Sequence, residues 1–142
     1  MTDAERTIFE TLYWTICLRT DDQEYLGRAV VVCKRAVASI PELTADEWSD
    51  LQQVMKKYEY ACVNGLGATM FNWTCLMNEA YQHQLPDPLV HWHVRPRYAK
   101  SVKIGGETFT DERFVHHYER KTDRAVSDDV AKEILRVLKK CI

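Results

Sequence analysis

His91 and His93 are separated by one residue, with Val90, Trp92 and Val94 alternating around them and Arg95-Pro96-Arg97 following. Successive side chains of an extended strand point to opposite faces, so the two imidazoles share one face while the apolar residues share the other. Neutral imidazole is a nucleophile, a proton carrier and a metal ligand near physiological pH, so the pair has three readings. Both rings could be structural, satisfied by hydrogen bonds within a polar sheet face. A zinc site needs a third ligand from His83, His116 or His117, with no Asp or Glu at diagnostic spacing. The third reading is catalysis, and it depends on which elements position the pair.

The chain has 142 residues, of which 46% are hydrophobic and 28% charged, with a formal net charge of -2. That length fits one compact domain over residues 1–142, with a core that needs no staples. The near-neutral charge weighs against a nucleic-acid or membrane-surface binder, so any phosphate site is local. Cys17, Cys33, Cys62, Cys75 and Cys141 form no C-x-x-C pair and read as reduced core thiols. The amino terminus carries no apolar signal region, and no apolar run approaches the roughly 20 residues of a membrane span. A cytoplasmic protein is the expectation.

Thr2 and Glu5 make a capping box, which predicts a short helix over residues 2–10. Aromatic and β-branched runs predict strands over 12–18 and 26–34. A second capping box, Thr44 with Glu47, opens the main helix, in which Trp48, Leu51, Met55, Tyr58 and Cys62 recur at helical spacing until Gly65 and Gly67. Residues 70–78 read as a third strand, 81–88 as a loop and 89–95 as the histidine strand. Gly105-Gly106 predicts a hairpin between 102–104 and 107–109. Ser127 with Asp128 and Asp129 starts a last helix that Lys139 and Lys140 end. The whole reads as α+β with a mostly antiparallel sheet.

Taken with Gly27-Arg28-Ala29-Val30-Val31-Val32-Cys33-Lys34-Arg35, the Leu43-Thr44-x-x-Glu47 helix start, Phe71-Asn72, Asn78 and His91 to Arg97, this order of elements resembles the histidine triad family over about residues 12–98. The family's motif is His-φ-His-φ-His-φ-φ with φ apolar, commonly continued by Pro-Arg. Two residues separate its last histidine from the proline, which places His93 third, His91 in the middle and Leu89 where the first histidine belongs. Ala36 and Arg28 stand where the family often has histidine, and the loop 79–88 lacks its Gly-Gln or Gly-Ser pattern.

The resemblance implies a five-stranded sheet with one main helix, a short N-terminal helix and a C-terminal helix, the hairpin and last helix (99–142) lying outside the matched core. It implies a homodimer built by extending the sheet and packing the main helix on its mate, for which Trp48, Met55 and Tyr58 offer an apolar stripe. Function is implied as a nucleotide hydrolase or nucleotidyl transferase. His91 attacks the α-phosphorus of a nucleotide, such as a dinucleoside polyphosphate, to give a covalent nucleotidyl-histidine, with no cofactor and no metal.

Such a nucleophile needs one free ring nitrogen, the other donating to a carbonyl or side chain that fixes the tautomer. Protonated His93, Asn78 and Arg28 are the candidate phosphate donors, and Asp21 is the candidate ribose acceptor. Against these stand plainer readings of Arg28 as a solvated strand-end arginine and Asp21 as a turn residue. Without the first histidine the source of the leaving-group proton is open, which favours polyphosphate over phosphoramidate substrates. Trp73 and Trp92 read as core. Lys34 and Arg35 cap a strand or meet distal phosphates, and the segment 114–118 could fold over the site and bring in His116 or His117. The rival reading is a catalytically degenerate nucleotide-binding regulator, motivated by Leu89, Ala36 and the altered loop.

Overall fold

The computed structural model describes residues 1–142. Its helices are α1 (Asp3–Arg6), α2 (Ala45–Ala61) and α3 (Asp128–Lys140); its strands are β1 (Thr7–Glu10), β2 (Trp14–Leu18), β3 (Ala29–Cys33), β4 (Met70–Thr74), β5 (His91–Arg97), β6 (Val102–Ile104) and β7 (Glu107–Phe109). The first five strands form one antiparallel sheet in the order β1-β2-β3-β5-β4, and β6 and β7 pair as the expected hairpin. Gly105 and Gly106, at φ 59° and 79°, make its turn. The architecture is α+β, as the patterning predicts.

Alternation sets which face of the sheet is buried. Trp14, Ile16 and Leu18 of β2, Ala29, Val31 and Cys33 of β3, and Val94 of β5 point inward. They meet Leu51, Val54, Tyr58 and Ala61 of α2 and Ile134, Leu135 and Leu138 of α3 in one core. The capping box of α2 is formed as predicted, Thr44 Oγ1 accepting from the Glu47 amide at 3.1 Å and Glu47 Oε1 from the Thr44 amide at 2.8 Å. Arg35 binds the same carboxylate through Nη2 at 2.8 Å and Nε at 3.1 Å, and Lys34 pairs with Glu10. Hydrogen bonds from Arg35 and the helix start hold Glu47 down to about 2. Arg35 thus fastens the strand end to α2 and Lys34 fastens it to β1, and neither lines the cationic cleft beside His91.

Several features differ from the sequence reading. The N-terminal helix ends at Arg6, because Thr7 to Glu10 are β-branched, aromatic or extended and pair with the free edge of β2. The third strand ends at Thr74, opposite His93, and Asn78 sits in a 3-10 turn (Asn78–Gln82). The histidine strand starts at His91 because the Val90 amide donates to Val37 O at 2.7 Å, outside the ladder. In α2, Tyr58 is 0% exposed and Trp48 41%, so Trp48, Met55 and Tyr58 do not form one surface stripe. All five cysteines are free, and no helix is long and apolar enough to cross a membrane.

Arg97, at the end of β5, is 1% exposed and uses all five of its N–H donors. It meets both Asp111 oxygens (2.7 and 3.1 Å), Asn72 Oδ1 (3.0 Å) and the carbonyls of Arg113 and His116 (both 2.8 Å). These bonds fasten the strap 111–126 to the outer face of the sheet. Its other end is tied by the Gln23 amide to Arg124 O (2.7 Å) and the Glu119 amide to Tyr25 Oη (2.6 Å). Asp111→Ala leaves Arg97 buried without a carboxylate and is expected to lower unfolding free energy by about 3–5 kcal/mol. Urea midpoints check this, with Asn72→Ala expected to cost only about 1 kcal/mol; equal losses would show that the ion pair does not anchor the strap.

Candidate active site

The outward face of β5 carries His91, His93, Arg95 and Arg97 in sequence. His91 and His93 are half-buried, their ring centroids 5.0 Å apart and nearly perpendicular. Nδ1 of His91 lies 2.8 Å from the Leu89 carbonyl. A carbonyl only accepts, so Nδ1 carries the proton and Nε2 of the neutral ring holds the lone pair. Leu89 thus locks the His91 tautomer through its backbone carbonyl.

His91 stands where two depressions meet. One is a cleft of about 470 Å³ whose lining carries Arg19, Arg28, Arg95, Arg120 and Lys121 against a single carboxylate, Glu79. The other is a groove of about 440 Å³ with apolar walls from Val30, Val32, Ala80, Leu85 and Leu89, and it shares His91 and Glu79 with the cleft. Asn78, His93 and Thr74 also line the cationic cleft, so His91, His93, Asn78 and Arg28 are brought together as the sequence suggests.

Two expectations change. Asp21 lines neither depression, and both its oxygens are taken by Arg19, Nε at 2.8 Å and Nη2 at 2.6 Å. That fork holds Asp21 down to about 2 and leaves the ribose role without support. His93 is neutral rather than protonated: burial, with His91, Arg95, Arg19 and Arg28 adding repulsion, pushes it down to about 3. It can donate one N–H to a phosphate oxygen but brings no charge of its own.

Arg28 is no solvated strand end. It is 7% exposed and pairs with Asp22, itself 4% exposed, while Asp22 also accepts from Thr122 of the strap. Arg95, 6% exposed, has no carboxylate partner; its guanidinium lies 4.1 Å above the Tyr118 ring. Burial and the neighbouring Arg28 push Arg95 down to about 10. The strap does fold back over the site, contributing Tyr118, Arg120 and Lys121, but His116 and His117 line a different groove beside β4. No three His, Cys, Asp or Glu side chains converge to hold a metal ion. Trp73 and Trp92 pack against the core, Trp73 donating to Glu59 Oε1 at 2.9 Å.

Arg19, Arg95, Thr74 and the strap cations Arg120 and Lys121 line the cleft without being among the candidates drawn from the sequence. Arg95 had a signal: it continues the period-two row and occupies the last position of the motif, where the family pattern is apolar. Arg120 and Lys121 had none, because contacts distant in sequence, from Arg97 to Asp111, Tyr25 to Glu119 and Asp22 to Thr122, bring them over β5.

No protein-family model matches the sequence, and no curated protein matches it. Solved structures do. A histidine triad protein from Sinorhizobium meliloti matches with a TM-score of 0.72 at 14% identity, over 96% of this chain and 88% of that one. A hypothetical histidine triad nucleotide-binding protein from Sulfolobus tokodaii matches at 0.68 and 12%, over 96% and 82%. The diadenosine triphosphate hydrolase of Plasmodium falciparum matches at 0.64 and 14%, over 98% and 77%. The chain therefore has the histidine triad fold, and at these identities the fold is what is shared.

The neutral state of His93 has a pH signature. An unfolded histidine takes up its proton near pH 6.5, whereas His93 resists it until about pH 3. Stability from this group is complete above pH 6.5 and is lost as pH falls from 6.5 through 3. His93→Gln is expected to flatten the decline in unfolding free energy between pH 7 and 5, by less than about 1.4 kcal/mol per pH unit because solvent screens the half-buried ring. Urea titrations at the two pH values check it; parallel declines in both proteins would contradict a neutral His93.

Proposed function

We propose that this protein is a nucleotide hydrolase or nucleotidyl transferase that forms a covalent bond between His91 and the α-phosphorus of a nucleotide. One observation carries the reading: a tautomer-locked imidazole sits at the junction of an apolar groove and a cationic cleft. A nucleotide has the same division. Its flat, weakly polar base suits the apolar groove, its phosphates suit the cations, and the α-phosphorus then falls beside His91.

In the first step the Nε2 lone pair forms an N–P bond, and the bond from the α-phosphorus to the bridging oxygen breaks, its electrons leaving on that oxygen. The ring becomes cationic, and the Leu89 carbonyl, accepting from Nδ1–H, stabilises that charge. The His93 N–H and Asn78 amide donate to the nonbridging oxygens. Water then attacks phosphorus, the N–P electrons return to Nε2, and one proton is released with the nucleoside monophosphate. If another acceptor replaces water, the same intermediate gives transfer. Similarity in fold to the Plasmodium hydrolase adds support from a relative whose substrate has this bond.

A homodimer and a single domain over residues 1–142 are parts of the same proposal. The second reading, a nucleotide-binding regulator without turnover, is favoured by Leu89, which leaves no imidazole at the first motif position. Intact-mass analysis after brief exposure to diadenosine triphosphate separates the two. Wild type is expected to gain one adenylyl group and release product, whereas His91→Ala gains none and loses turnover by about three orders of magnitude or more. Tight binding with neither adduct nor product would establish the regulator instead.

A further inference from the structure

Along the cleft floor, Thr74 Oγ1, His93 Nδ1, Arg28 Nε and Arg95 Nε are buried and have no protein hydrogen-bond partner. Three of these groups are adjacent in the sheet: Thr74 stands opposite His93 across β4 and β5, and Arg95 follows on the same face of β5. Buried polar groups are ordinarily satisfied, so four together on one floor describe the complement of something rich in acceptors. The charge agrees. Asp22 and Asp21 neutralise Arg28 and Arg19, whereas Arg95, Arg120 and Lys121 have no carboxylate partner. Arg95 is the most telling because it is nine-tenths buried, and a buried guanidinium without a counter-ion is costly to keep.

The row has direction. Residues two apart on a strand are separated by about 7 Å, so the floor runs from His91 past His93 to Arg95, away from the apolar groove. A single phosphoryl group beside His91 covers only the first part of that row.

We propose that Arg28 and Arg95, with Thr74, form a built seat for the phosphate chain that leaves when His91 is nucleotidylated. The proposal rests on the nucleotidyl-histidine reading. It also explains how a chain with Leu89 manages without a general acid at that position. When the bridging oxygen departs it becomes a terminal oxygen of the released chain; its new charge is met by two guanidinium groups, and no proton is required. An amine or alkoxide leaving group would gain nothing from this seat.

Titration calorimetry with inorganic tripolyphosphate and orthophosphate tests the seat without turnover. Wild type is expected to bind tripolyphosphate at least about a hundredfold more tightly than orthophosphate. Arg95→Leu, which restores the motif's apolar type, is expected to cut that ratio about tenfold or more with orthophosphate binding little changed. Arg95→Lys should fall between, and thermal midpoints confirm that each variant is folded. Lys121→Met removes an equal charge from the cleft rim and is expected to cost less than half the logarithm of the Arg95→Leu effect. Equal losses in Lys121→Met and Arg95→Leu, or no loss in Arg95→Leu, would overturn the seat in favour of diffuse attraction. The adduct experiment is read separately. A protein that binds tripolyphosphate through Arg95 but forms no adduct loses the nucleotidyl-transfer reading and keeps the seat. One that forms the adduct with an Arg95-independent ratio loses the seat and keeps the reading.

Discussion

The period of two in β5 forces His91, His93, Arg95 and Arg97 onto one face of the sheet while Val94 packs into the core behind them. Four basic side chains in a row must find partners or remain exposed, and the strand lies between β3 and β4, where exposure is limited. The segment after β7 answers this constraint. It brings the Asp111 carboxylate and two backbone carbonyls to Arg97 and the Tyr118 ring to Arg95. Satisfaction declines from one end of the row to the other: Arg97 has every donor used, Arg95 has an aromatic face only, and His93 leaves Nδ1 unpaired. The site begins where the strap's supply of partners ends.

That gradient has an energetic meaning. In the proposed reaction, the cations that lack a carboxylate partner, Arg95, Arg120 and Lys121, with donors already aimed inward, suit developing negative charge without reorganising. The same arrangement destabilises the protein alone, since Arg28, Arg95 and His93 are each pushed towards their neutral forms. An anion bound there restores what folding gives up, so ligand affinity and protein stability are linked at one set of atoms. The Arg97–Asp111 pair counters the strain by being complete, which lets the incomplete part of the row stay in place.

How legible this was follows the range of the interactions. The capping boxes at Thr2 and Thr44, the Gly105-Gly106 turn and the inward runs of β2 and β3 are local patterns, and they were readable. Residues 7–10 form a strand and not the expected helix, because a capping box signals where a helix starts, while edge pairing with β2 decides where it stops. In the site, the resemblance singles out His91 and His93 by their spacing to Pro96-Arg97, Arg28 by the strand-opening glycine and Asn78 by a matching asparagine, and the four line one cleft. Asp21 was plausible by type, but Arg19 two residues earlier takes both its oxygens, a contact that sequence adjacency alone does not announce. Arg120 and Lys121 reach the cleft through clasps between Arg97 and Asp111, Tyr25 and Glu119, and Asp22 and Thr122, and no periodicity encodes such clasps.

Leu89 joins the two halves of the site. Its carbonyl holds Nδ1 of His91, which fixes the lone pair on Nε2, and its side chain, 45% exposed, forms a wall of the apolar groove. A histidine there could keep the first contribution, since the backbone would be unchanged, but would replace the apolar wall with a titratable ring. Leucine there supplies a surface that suits a flat, weakly polar group and no titratable proton. The proposed reaction matches both features, because a departing phosphate chain needs no proton and the guanidinium groups of Arg28 and Arg95 suit a departing anion. In that reading Leu89 and Arg95 stand at two ends of one site, separated by the length of a phosphate chain.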